Sequence, residues 1–318
     1  MSARYVLIDF NHLAHRCMMI DPLTTTVALN GVPTVVDTTI PTTTIKNVYN
    51  YGGRGANYTA VCLEGGNNAR KKYFAENSPT GEATAYKDGR KKNSRLLSGL
   101  NLAVELMHEG NVSLYRQEGF EADDCIYSLV QKIKSIDTTT PIDIITNDAD
   151  MLPLVDYQVS VYMRGSRQFA KEGCPEHRLY YQVTPDTWED YLSYTSAYKN
   201  FTIPYNSMLL FKLIRGDKSD NIPPSVKGFG GVKYSNLMHQ MTYDGVDFDD
   251  VFRYGVDFDE VLLPVLKEYF PDEKVLNHMR FIYNGINLRY TNLVPPKQIQ
   301  AGLLQSSLLK LNINLGVR

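Results

Sequence analysis

The sequence predicts an α/β fold, with a mostly parallel sheet carrying helices on both faces and a helical region after it. Three observations point to this. Apolar runs recur at residues 5–10 (YVLIDF), 58–64 (YTAVCLE), 112–117 (VSLYRQ) and 142–147 (IDIITN). Helix-like segments separate them, and this alternation indicates parallel strands joined by crossovers. From Pro185 onward the apolar spacing becomes helical.

In chain order, residues 5–10 read as a buried strand ending at Asp9. Asn30-Gly31, between VAL and VPTVV, signals a hairpin. A helix is expected from about Thr44 to Gly52-Gly53. The second core strand, 58–64, follows. Residues 66–95 show weak helical periodicity and many bases. A helix at 101–109, a strand at 112–117, a helix at 122–136 and a strand at 142–147 come next. A hairpin spans 159–183, with residues 164–178 as its tip. Segment 204–242 reads as helix, Gly/Pro-rich loop, helix. The acidic stretch 244–260, with two VDFD units, is expected as a solvated loop, with an interaction surface as the alternative, and 262–313 as helices packing back on the body. The domains are accordingly expected at 1–185 and 186–318.

The 318 residues suffice for a sizeable buried core. Apolar runs such as Tyr5–Ile8 and Met208–Phe211 are too short to span a bilayer. The N-terminus lacks the basic and apolar regions of a signal peptide. Cys17, Cys62, Cys125 and Cys174 are widely spread, with no zinc-ligand spacing. A reduced, cytoplasmic protein without a membrane role is expected.

Acids collect where the strands end. Asp9 closes the first strand and Glu64 the second. Glu121, Asp123 and Asp124 open a helix, and Asp148 and Asp150 follow the IIT run. In open α/β sheets, ligands bind beyond the strands' carboxyl ends. Clustered carboxylates repel unless a cation neutralises them. All-oxygen ligands favour Mg2+ or Mn2+, and two such ions ~4 Å apart serve in-line phosphoryl displacement. Each acid also has an ordinary structural role, in helix first turns or as a cap. Asp217 and Asp220 precede a loop holding Pro223, Pro224, Gly228, Gly230 and Gly231, a type that lets backbone approach a phosphate. An interhelical turn with an Asp cap fits that loop as well.

The net charge is −2. Removing these nine candidate acids from 35 leaves 26 against 33 bases, a surplus of seven. Residues 66–95 hold Arg70, Lys71, Lys72, Lys87, Arg90, Lys91, Lys92 and Arg95 against Glu76, Glu82 and Asp88. Such a segment suits a polyanion or forms a solvated loop. Tyr73, Phe74 and Tyr86 interleave with the bases, either to stack on unpaired bases or to pack the segment itself.

LIDFNHLAHR, FEADDCIYSLV, IITNDADMLPLV and IRGDKSDNIP occur in the order seen in the 5′-nuclease (flap endonuclease) family, which the chain resembles in patches over roughly residues 4–240. The resemblance implies a PIN-like sheet and a helix–three-turn–helix motif near 204–242. It implies a structure-selective 5′ nuclease acting at 5′ ends, flaps or single-strand/duplex junctions by a two-metal mechanism. Asp9, Glu64, Glu121 and Asp123 match first-metal ligands. Asp124, Asp148, Asp150, Asp217 and Asp220 match the second site, some through water. Lys87 and Arg90 match a basic pair at the foot of a helical arch that grips the scissile phosphate. Lys91, Lys92 and Tyr86 are expected to face DNA. Gly228, Gly230, Gly231 and Lys233 are expected to hold duplex phosphates, with K+ at the loop.

The implied partners are branched or 5′-ended DNA, RNA–DNA hybrids and replication proteins. The chain resembles stand-alone phage-type members, which implies a monomer in the host cytoplasm. Glu64 replaces the usual Asp, and Pro224 lies in a loop about two residues longer than the family pattern. Two other readings stay open: a haloacid-dehalogenase-type phosphatase, and an inactive DNA-binding scaffold. The phosphatase needs a second Asp where Phe10-Asn11 follow Asp9.

Overall fold

The computed structural model describes residues 3–18, 21–29, 31–52, 57–66, 68–78, 86–87, 93–163, 181–287 and 296–309. In chain order the first elements are β1 (Tyr5–Asp9), α1 (Phe10–Cys17), β2 (Thr24–Leu29), β3 (Val32–Asp37), α2 (Thr39–Gly52), β4 (Tyr58–Cys62), α3 (Ala69–Glu76), α4 (Ser94–Glu109), β5 (Ser113–Tyr115), α5 (Ala122–Lys134) and β6 (Ile142–Ile145). There follow β7 (Val159–Met163), β8 (Tyr181–Val183), α6 (Trp188–Tyr194), α7 (Met208–Arg215), α8 (Gly231–Tyr243), α9 (Phe248–Val251), α10 (Leu263–Tyr269), α11 (Glu273–Ile286), β9 (Lys297–Gln298) and α12 (Ala301–Leu309). They form two compact units. One holds Met1–Gly66, Lys91–Asp148 and Tyr290–Arg318, the other Asn67–Arg90 and Ala149–Arg289.

The first unit is built on parallel strands in the order β5-β4-β1-β6. All five residues of β1 are buried, so both its faces are covered. Each such Val, Leu or Ile contributes roughly 1.5–3 kcal/mol on burial. Helices α2 and α5 pack on β1 and β4, while Ala14, Cys17, Ile40 and Leu96 join α1, α2 and α4. The short β9 pairs antiparallel with β4 at Tyr58 and Thr59, a strand the sequence pattern does not mark. From β1 the chain steps to β4 and β5, then returns to lay β6 on the other side of β1. The strand order therefore reverses between β1 and β6, where α/β sheets open a crevice.

Helix α2 starts five residues earlier than its periodicity suggests. Asp37 supplies the start signal, its Oδ1 accepting from the Thr39 N–H at 2.9 Å. The β2–β3 hairpin forms in the expected register, with Gly31 at φ +80° in its turn; Asn30 lies outside the described residues.

In the second unit, β7 and β8 form the expected antiparallel pair, and the 164–178 tip lies outside the described residues. Residues 69–76 form a regular helix despite their weak periodicity. Asn68 caps it, and Phe74 anchors it on α11. A Cβ at Gly285 would come within 2.3 Å of Phe74, so only glycine allows that approach. The 244–260 stretch is not a solvated loop. Asp247 caps α9 and Asp257 caps the turn Phe258–Leu262, each Oδ1 accepting two backbone N–H groups, while Phe248 and Phe258 are buried. The repeated VDFD is thus a repeated helix start.

Candidate metal centre and nucleic-acid interface

In the first unit, Asp9 ends β1 and caps α1. Its Oδ1 accepts the His12 N–H at 3.2 Å, and its Oδ2 accepts the Thr146 hydroxyl at 2.9 Å. The same Thr146 oxygen accepts the Asp148 N–H at 3.0 Å. One buried hydroxyl therefore ties the acid beyond β1 to the backbone beyond β6, at the point where strand order reverses. Asp148 is half-buried, and one of its carboxylate oxygens lies within 4.8 Å of one from Asp123.

The three acids opening α5 divide their work. The Asp124 Oδ2 accepts the Glu121 N–H at 2.8 Å, and the Glu121 carboxylate returns a bond to the first turn, making a capping box. Asp123 brings a carboxylate oxygen within 4.8 Å of one from Asp148. All three are buried. Glu64 is exposed, two residues past β4. Its segment is zipped to the loop before α5, the Gly65 N–H donating to the Phe120 carbonyl at 2.9 Å. A Cβ at Gly65 would overlap the Gln117 carbonyl, which explains glycine there.

The donors gathered here are carboxylates, which suit a hard divalent cation. Cys62 sits beside them, but its thiol pKa is driven well up by burial, by Cys125 and by Asp9 and Asp123.

In the second unit, Asp150 opens the 3-10 turn Ala149–Leu154, two residues beyond Asp148 along the chain. Its Oδ1 accepts from the Lys212 Nζ. Burial opposes its charge, yet Lys212 first, then Arg70 and Lys87, hold its pKa well below the usual carboxylate range. Lys212 also lies 3.5 Å from the Asp217 Oδ2. The other Asp217 oxygen accepts the Ser219 N–H and hydroxyl. Asp220 is buried and pairs with Lys87, Nζ to Oδ2 at 3.5 Å. Lys87 is held at φ +52° and its N–H donates to the Asp220 carbonyl. Arg90, Lys91 and Lys92 lie outside the described residues.

Tyr86 requires a correction. It was expected on a DNA-facing surface, yet it is 0% exposed. Its ring stacks on Phe74 at 5.0 Å, and Phe74 meets Phe281 edge-on at 5.1 Å. Tyr73 stacks on Phe281 at 5.7 Å. These aromatics pack α3 against α11, with Phe74 and Tyr86 fully buried and Tyr73 half-buried.

Helices α7 and α8 with their loop match the expected 204–242 segment. Gly216 has φ +64°, and a Cβ there would come within 2.4 Å of the Ile222 carbonyl. Gly228 has φ +69°, and Gly230 caps α8. A Cβ on Gly231 would meet the Asn200 carbonyl at 2.0 Å. Lys233 and Val232 are exposed on the first turn of α8, where unpaired N–H groups favour an anion. Sequence reasoning missed Thr146 and Lys212. Lys212 had a signal, as a lone cation inside the apolar run MLLFKLI. Thr146 had none beyond its place at a strand end.

Residues 4–185 match the family model described as 5′-3′ exonuclease, N-terminal resolvase-like domain. The chain is 29% identical over 239 residues to DNA polymerase I of Caldicellulosiruptor bescii, covering 74% of this chain and 24% of that one. It is thus similar to about a quarter of that relative's length. It is 24% identical over 221 residues to a 5′-3′ exonuclease of Mycoplasma pneumoniae, covering 68% of this chain and 67% of the other. A flap endonuclease of bacteriophage T5, solved as a pseudo-enzyme-product complex with DNA and metal ions, superposes with a TM-score of 0.53. Its identity is 13%, and the match covers 97% of this chain and 93% of that one. The bacteriophage T5 5′-exonuclease bound to zinc gives a TM-score of 0.52 at 13% identity, covering 90% and 88%. These two likenesses establish a shared fold. Among the described residues, no helix is long and apolar enough to cross a membrane.

Proposed function

For a chain that belongs to the 5′-3′ exonuclease family by its N-terminal resolvase-like domain, we propose a structure-selective, divalent-metal-dependent 5′ nuclease. It hydrolyses phosphodiesters at 5′ ends, flaps or single-strand/duplex junctions of DNA, and of RNA–DNA primers. The observation that carries this is the carboxylate pair Asp123–Asp148 at the strand-order reversal, joined to Asp9 through Thr146. The family match favours a nuclease over the phosphatase reading, and the retained acids favour an enzyme over a scaffold.

Asp9, Glu64, Glu121 and Asp123 are assigned to a first cation, and Asp124, Asp148, Asp150, Asp217 and Asp220 to a second, some through water. Mg2+ or Mn2+ fits an all-carboxylate set. Bound there, such cations supply an activated water and neutralise charge at the leaving oxygen. The protein's own part is to position and to balance charge. Thr146 fixes the Asp9 carboxylate and the Asp148 backbone against each other. Lys87 and Arg90 neutralise charge on the transferring phosphoryl group. The Gly228–Gly231 backbone and Lys233 hold duplex phosphates, with K+ at the loop. Lys91 and Lys92 add long-range attraction for the polyanion. Phosphate contacts position the duplex without reading bases, so selection is by structure. The domain assignment, 1–185 as the α/β metal-nuclease core and 186–318 as a helical region that holds the duplex and adds Asp217 and Asp220, follows the same reading, as do a monomeric state, a cytoplasmic setting and encounters with replication proteins.

The test is Mg2+-dependent cleavage of a 5′-flap, a nicked duplex and an RNA–DNA hybrid, by wild type and by Asp148→Ala. The variant is expected to lose cleavage while keeping junction binding. Full cleavage by it would sink the ligand assignment. Wild type inert on all three substrates would return the scaffold reading.

A further inference from the structure

Lys212 is the buried cation of an apolar helix. Every residue of Met208–Ile214 is buried, and Lys212 is the charged one among them. A lysine in such a place usually runs its stem outward and keeps its ammonium in water. Here the side chain is only 9% exposed and its Nζ is turned inward, bonded to the Asp150 Oδ1. Burial disfavours the ammonium, but Asp150, Tyr254 and Asp217 outweigh it and hold its pKa well above the ordinary lysine value. The Asp150 side chain is itself only 14% exposed. A second acceptor waits beside the first, the Asp217 Oδ2, 3.5 Å from the same nitrogen. That Asp217 carboxylate is pinned from its other oxygen by Ser219.

This arrangement addresses a difficulty that any buried metal ligand raises. A carboxylate held away from water needs a cation even while the metal is absent. We propose that Lys212 is a resident counter-ion for Asp150, displaced when a divalent cation binds, its ammonium passing to the Asp217 Oδ2. The inference rests on the metal role proposed for Asp150 above, and the oxygen donors of both aspartates suit such an ion. Metal binding then becomes an exchange of one cation for another. The metal-free protein stays folded without a bare buried charge, and the affinity for the ion is lowered by the competing ammonium. The Asp217 Oδ2 serves as the landing point for Lys212, which restricts Asp217 to contacts with the ion through water.

The test uses the full chain with Ca2+ as the probe ion, read by calorimetric titration and by thermal melting in chelator and in Ca2+. Lys212→Met is expected to melt below wild type in chelator. It should bind Ca2+ about tenfold more tightly, because a neighbouring positive charge is gone, and gain more from Ca2+ on melting. The double variant Asp150→Asn with Lys212→Met should recover metal-free melting and lose the gain in affinity. An equal drop in melting with and without Ca2+, at unchanged affinity, would make Lys212 a structural ion pair and overturn the proposal. Wild type without saturable Ca2+ or Mg2+ binding would overturn both this inference and the metal reading beneath it. If Lys212→Met does not fold, the ammonium signal of Lys212 in 15N-lysine-labelled wild type decides. It must move on adding Ca2+ and stay still in Asp150→Asn. A signal that does not move in wild type refutes displacement.

Discussion

Replacing Thr146 by valine keeps the shape of the side chain and removes one hydroxyl from the junction between β1 and β6. That hydroxyl donates to the Asp9 Oδ2 at 2.9 Å and accepts from the Asp148 N–H at 3.0 Å, and the residue is fully buried. A hydrogen bond to a charged group is worth about 1.5–3 kcal/mol, and an unsatisfied buried N–H costs about 1–3 kcal/mol. Asp9 keeps its bond from the His12 N–H, and half-buried Asp148 retains some access to water, so the two effects do not simply add. A loss of about 2–4 kcal/mol is expected. Urea unfolding followed by far-UV circular dichroism measures it. Cleavage at varied Mg2+ is the second assay. The variant should need more Mg2+ to reach half its maximal rate, because Asp9 and Asp148 each lose one of the hydrogen bonds that position them. Thr146→Ser, which keeps the hydroxyl, should recover most of both losses. A valine variant within about 0.5 kcal/mol of wild type, with an unchanged Mg2+ requirement, would refute the bridging role.

Two further outcomes are expected. Lys87→Ala should lower the single-turnover cleavage rate more than it lowers DNA affinity, since Lys87 is already held at φ +52° against Asp220; a loss confined to binding would make it a tether. The Asp150–Lys212 pair should give metal-free stability that is flat across neutral pH. Asp150 is depressed, so its contribution is present above the unfolded value of about 3.9 and lost as pH falls towards the folded one. Lys212 is raised, so its share is present below about 10.4 and lost as pH rises through the folded value. The coupling from a double-mutant cycle in chelator should therefore hold steady from about pH 5 to 9 and shrink on acidification below about pH 4. A coupling that varies across neutral pH would contradict the pairing.

Local chemistry made much of this protein legible in advance. The runs at Tyr5–Ile8 and Ile142–Ile145 suit a sheet covered on both faces because apolar, β-branched residues dominate them, the buried Asp143 inside the second being paired with Arg4. Acids directly after such runs sit at the carboxyl edge whatever the strand order. Gly31 at φ +80° marks a turn that most side chains would strain. The VDFD pair was misread because an aspartate that caps a helix and one that is solvated look alike until a buried phenylalanine shows which side faces in.

The sequence by itself determined the main core strands, though not the short β9, and which acids stand at their ends, because backbone sterics and side-chain solvation act over a few residues. Only the tertiary structure decided that Asp123 is the first-turn acid of α5 that meets Asp148 while Glu121 and Asp124 cap the helix. It alone showed that Tyr86 is buried, that Thr146 reaches Asp9 across 137 positions, and that Lys212 reaches Asp150 across 62. Those pairings depend on the order in which strands are laid down and on what each element packs against. A hydroxyl or an ammonium carries no mark in the sequence of the distant partner that will satisfy it.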